Sequence, residues 1–90
     1  MSGESRLRRD RGLPFQELDG QVVVVVPARR EMHELDEVAT FLWRELGELR
    51  SEAELIESLC GEFEVERVRA EEDVRAFVSR LEEKGLVVRG

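Results

Sequence analysis

From Phe15 to Leu18 apolar and polar residues alternate, the period of a half-buried strand. Asp19-Gly20 follows, the dipeptide that best tolerates the positive φ angles of a two-residue hairpin, and Gln21 to Val26 resumes as a second strand. Five consecutive valines make both of its faces apolar, which predicts a central strand covered on one side and partly on the other. Pro27, with no amide to donate, ends it. Beyond a turn at Ala28-Arg29-Arg30, the segment Glu31-Met32-His33-Glu34-Leu35 is short and charged, the character of an exposed edge strand.

From there the period becomes helical. Asp36 is placed to cap a first helix, with Glu37 in its first turn and Leu35, Val38, Ala39, Leu42, Trp43 and Leu46 along one face. Gly47 closes it. Ser51 and Glu54 have the spacing of a capping box and open a second helix, whose stripe is Leu55, Ile56, Leu59 and Phe63. A third helix is predicted from about Ala70, with Glu71, Glu72 and Asp73 in its positive first turn and Val74, Phe77, Val78 and Leu81 inward. Gly85 suits its left-handed cap, with Leu86 folding back. The pattern predicts an α+β domain: an N-terminal three-stranded antiparallel sheet followed by a three-helix bundle. The third strand keeps an unpaired edge.

At 90 residues, 41% of them hydrophobic and 39% charged, the chain has material for one core under a heavily ionised surface. Its net charge of −7 is uneven: residues 1–14 balance to +2 and the remainder to −9. We therefore expect an Arg-rich, flexible, solubilising arm over residues 1–14 and a single domain over 15–90. An acidic body repels phosphate backbones, so nucleic acid is not expected as a partner, and a winged-helix DNA-binding or transcription-regulating domain is the weaker alternative. Glu71, Glu72, Asp73, Glu82 and Glu83 on the third helix argue against a recognition helix. The longest apolar run, Val22 to Val26, is far too short to span a bilayer, residues 1–14 lack the apolar segment of a signal peptide, and Cys60 has no disulfide partner. No membrane role and a cytoplasmic location are expected.

Catalysis ordinarily needs a nucleophile beside a base, paired carboxylates in a cleft, or a metal cluster, and no such spacing occurs. His33, the single histidine, sits between Glu31 and Glu34 in the edge strand, where a surface role is expected. Cys60 reads as a buried small hydrophobe and the glycines as turn and cap residues. Neither a catalytic residue, a metal nor a cofactor is expected. Trp43 and Phe77 have the spacing of inward helix positions, which does not by itself make either a binding residue.

The run Leu35-Asp36-Glu37-Val38-Ala39-Thr40-Phe41-Leu42-Trp43 resembles the leucine, asparagine, spacer, alanine and isoleucine-tryptophan pattern that opens the first helix of the PqqD family. The Ser51-to-Leu59 capping and stripe pattern, Asp73-Val74-Arg75-Ala76-Phe77-Val78, and Leu81 to Leu86 with Lys84-Gly85-Leu86 follow in the family's order, so the likeness spans about residues 15 to 88. Asp36 replaces the usual asparagine and keeps its capping chemistry, whereas Gly47-Glu48 stands where the family shows Asp-Gly.

The resemblance implies a winged-helix variant that binds the leader segment of a ribosomally made precursor peptide and presents it to a modifying enzyme, often a radical-SAM protein. The founding member serves pyrroloquinoline quinone biosynthesis, and relatives serve other peptide pathways. The implied mode adds the leader as a strand beside Glu31, Met32, His33, Glu34 and Leu35, with its side chains in a groove along the third helix. Met32, Val74, Phe77, Val78 and Leu81 are then the expected pocket residues, and Arg75 or Arg80 the cations that meet acidic leader residues. Because Met32 and Glu34 point opposite to Glu31, His33 and Leu35, only one set can line that groove.

Overall fold

A computed structural model describes residues 5–90. Its strands are β1 (Arg6–Arg9), β2 (Phe15–Leu18), β3 (Gln21–Val26) and β4 (Glu31–Glu34), followed by helix α1 (Glu37–Glu45), strand β5 (Arg50–Ser51), helices α2 (Glu52–Glu62) and α3 (Arg67–Glu83), and strand β6 (Val87–Arg89). They form two antiparallel three-stranded sheets, ordered β2-β3-β4 and β5-β1-β6. The architecture is the expected α+β, winged-helix-like one, with a second sheet added.

The hairpin and caps form as their chemistry predicts. Asp19 and Gly20 both take positive φ, 54° and 82°, and Leu18 pairs with Gln21 across the two-residue turn. Asp36 Oδ1 accepts from the Ala39 amide at 2.8 Å, and Ser51 and Glu54 exchange the two bonds of a capping box. At the end of α3, Gly85 is left-handed at φ 71°. Its amide donates to the Glu82 carbonyl at 3.1 Å and the Leu86 amide to Leu81 at 2.9 Å, the paired bonds of a Schellman motif. Helix α3 starts one turn earlier than predicted, at Arg67, where Arg67 is held to Glu57 of α2 and Glu71 one turn on.

The expected flexible arm is corrected over its described part; Met1 to Glu4 lie outside the described residues. Arg6–Arg9 is the central strand of the second sheet, and Leu7 is fully buried in the core. A basic run with one leucine reads as solvated, but its charges serve as attachments to the acidic body. Arg6 pairs with Glu54 at 2.6 Å, Arg9 donates to the Trp43 carbonyl and lies over the rings of Phe15 and Trp43, and Arg11 donates to the Gly47 carbonyl.

In the first sheet Val22, Val24 and Val26 face the helices and Val23 and Val25 face outward, which divides the valine run as its double-sided character predicts. Trp43 is buried at the centre, edge-on to Phe15 at 5.8 Å, among Leu42, Leu46, Leu55, Leu59, Val74 and Val78. Buried Thr40 joins α1 to the sheet. Its hydroxyl accepts from the Val22 amide at 3.0 Å and donates to the Leu35 carbonyl at 3.2 Å. Those groups sit where the β3–β4 ladder ends, so Thr40 fixes how β4 meets the helices.

Candidate functional site: an open strand edge beside the third helix

Strand β4 pairs with β3 on one side, and among the described residues no strand covers its other side. The register matches Val26 with Glu31, Val25 with Met32, Val24 with His33 and Val23 with Glu34. The Leu35 amide bonds to the Val22 carbonyl at 2.8 Å, and bonded pairs alternate in an antiparallel ladder. His33 and Glu31 therefore bond inward to β3, while the amides and carbonyls of Met32 and Glu34 project from the open edge.

A groove runs between this edge and α3. At the β4 end a cavity of about 200 Å³ has Val24, Leu35, Leu81 and Leu86 among its walls, with His33, Arg80 and Lys84 around them. Toward the start of α1 a second, of about 310 Å³, is walled by Val38, Ala39, Leu42 and Phe77, with Asp36, Arg69, Asp73 and Arg80 around them. Arg80 belongs to both. The face of α3 toward the groove is thus Arg69, Asp73, Ala76, Phe77, Arg80 and Leu81, continued by Lys84 at its C-cap, a stripe at helical spacing.

Charges at the β4 end converge on Glu31. Its carboxylate lies 3.0 Å from His33 Nε2 and 3.6 Å from Lys84 Nζ, tying the edge strand to the end of α3. The hydrogen bond from His33, aided by the nearby Lys84 charge, holds the Glu31 carboxyl below the usual carboxylate range. At the start of α2 the Glu54 carboxyl is lowered as well, first by the Ser51 amide and then by Arg6.

The predicted site residues divide. Phe77 and Leu81 line the groove, as do Leu35 and His33. Met32 and Glu34 also border the first cavity, but Met32 is 69% exposed and these two, with Leu18, Val23 and Val25, form the outward face of the sheet. Their backbone is what the edge presents. Val74 and Val78 are core residues, 0% and 2% exposed, because the α3 stripe that meets α2 lies about 100° from the groove face. Arg75 is exposed and lines neither cavity. Arg69, Asp73, Ala76 and Lys84 join the groove without having been singled out as binding positions. Their signal was available, since they continue the helical stripe through Phe77 and Arg80. Cys60 is half-buried rather than buried.

An α+β, winged-helix-like fold in which a strand edge, unpaired among the described residues, faces a helix defines a small docking-module architecture. The chain belongs to the family described as coenzyme PQQ synthesis protein D (PqqD), whose model matches residues 21–87. Among solved structures it is similar to TbiB1 in complex with the TbiA(beta) leader peptide, at 27% identity and TM-score 0.77 over 89% of this chain and 93% of that one. It is likewise similar to lasso peptide synthetase B1 complexed with the leader peptide, at 28% identity and TM-score 0.77 over 91% of this chain and 96% of that one. No curated protein matches it.

Proposed function

We propose that this protein is a leader-peptide-binding adaptor, which takes up an extended segment of a precursor peptide as a fourth strand on β4 and presents the peptide to a modifying enzyme. The observation that carries the reading is the outward row of backbone groups at Met32 and Glu34, set beside a groove with apolar walls. Backbone pairing supplies affinity for any extended chain, and the cavities along α3 supply selectivity. Support comes from the two similar structures, each solved with a leader peptide, and from membership of the PqqD family.

In this reading the chain performs no chemistry itself. The modifying enzyme is a separate catalyst, and its class follows from the pathway; a radical-SAM partner rests on the resemblance to the family at large. A cytoplasmic location fits a module acting on a newly made peptide. Among the described residues no helix is long and apolar enough to cross a membrane.

Titration with synthetic leader segments from candidate precursor peptides, followed by amide chemical shifts, tests the proposal. Shifts concentrated at residues 31–35 and on the groove face of α3 support it. Tight binding that leaves both unperturbed overturns it.

A further inference from the structure

The groove holds three cations on α3, and two of them are already neutralised. Arg69 Nε lies 3.2 Å from Asp73 Oδ1, and Lys84 Nζ lies 3.6 Å from Glu31 Oε1. Arg80, the side chain shared by the two cavities, makes no ion pair or hydrogen bond among the described residues. In a chain of net charge −7 a cation left over in this place is informative. On either side of it the walls are apolar: Leu35, Leu81 and Leu86 toward β4, and Val38, Leu42 and Phe77 toward α1.

We infer that Arg80 is a specificity residue that selects an acidic side chain in the bound peptide, and that the flanking cavities take apolar side chains on each side of that acid. The inference rests on the leader-peptide reading and sharpens it to a sequence class. A strand added to β4 turns alternate side chains toward α3, about 6.8 Å apart at about 3.4 Å per residue. The recognised segment therefore carries Asp or Glu on its groove-facing side, with apolar residues at neighbouring positions of that same side. Arginine suits the task because its planar fork engages a carboxylate with two parallel hydrogen bonds. Arg80 is exposed, and a guest bearing lysine there would set two like charges side by side, which disfavours it.

The test is selection from a display library of random twelve-residue peptides against the full chain, in wild type and in the variants Arg80→Glu, Arg80→Gln and Arg75→Glu, each checked for an unchanged unfolding transition. Wild type is expected to enrich peptides with an acid flanked by apolar residues at alternating positions. Converting that acid to its amide in a synthesised binder is expected to weaken binding about five- to tenfold, the more so at low salt. Arg80→Glu is expected to shift enrichment to Lys or Arg, Arg80→Gln to abolish the preference, and Arg75→Glu to leave it unchanged. If selected peptides perturb the Met32 and Glu34 amides yet show no acidic preference, or if Arg80→Glu selects the same peptides as wild type, the assignment to Arg80 falls and the leader-peptide reading stands. If no selected peptide perturbs β4 or α3, both fall.

Discussion

The two sheets use one device in opposite ways. In the second sheet the chain supplies its own added strand: β1, four residues long, lies between the two-residue β5 and the three-residue β6. So short a strand is held by three things, namely backbone pairing on both sides, one leucine in the core, and arginines bound to acids, carbonyls and rings of the body. In the first sheet the same ingredients lie beside β4 with no strand of the described residues to use them: a row of backbone groups, apolar cavities, and a charge that no described residue pairs. The comparison shows how few residues a guest needs, since the molecule already holds a four-residue strand by those means.

The comparison is broken most severely by attacking β1. Leu7→Ala is expected to cost about 3 kcal/mol of unfolding free energy, read from the midpoint of urea unfolding at unchanged slope. A flexible arm would show no change. Thr40→Val keeps the side-chain shape but strands the Val22 amide and the Leu35 carbonyl, and should cost about 1–3 kcal/mol in the same experiment. If it costs nothing, Thr40 does not anchor the end of β4.

A third change separates the two sides of β4. Met32→Pro removes an amide that faces the open edge, so it should weaken binding of a strand-adding peptide at least about tenfold while stability changes by less than about 1 kcal/mol. His33→Pro removes an inward amide and should reverse that balance. Equal effects from both would mean that the register of the edge has been misassigned.

The smallest expected effect is the pH response of Glu31. Its lowered carboxyl pKa means that the tie to His33 and Lys84 contributes stability above the usual carboxylate range and loses it as pH falls through the folded-state midpoint. A proton titration followed by NMR should place that midpoint below the usual range, and His33→Ala should raise it. A midpoint that ignores His33 would remove the hydrogen bond as its cause.

Much of this was legible from local chemistry. The hairpin at Asp19-Gly20, the cap at Asp36, the capping box at Ser51 and the left-handed Gly85 are each fixed by neighbours within a few residues, and each formed as read. Strand β1 was not legible, because its partners Arg50, Ser51 and Val87 to Arg89 lie more than forty residues away, and pairing over such a distance leaves no periodicity behind. A run of four arginines around one leucine resembles a solvated tail until those partners are in place. At the site, Leu35, Phe77 and Leu81 were legible as apolar positions beside the groove. The helical stripe placed Val74, Phe77, Val78 and Leu81 inward together, but it did not separate Val74 and Val78, which face only the core, from Phe77 and Leu81, which also line the groove, nor show that Arg80 and Lys84 turn toward β4, since that depends on how α3 is rotated against α2.

Amide hydrogen exchange of the four β4 residues, with and without a saturating peptide chosen by the display selection, tests the central claim most directly. In the free protein the Met32 and Glu34 amides should exchange fast while those of Glu31 and His33 exchange slowly, and peptide should protect Met32 and Glu34 with little change at the other two. Protection of Met32 and Glu34 already present in the free chain, or absent with peptide bound, would contradict the account.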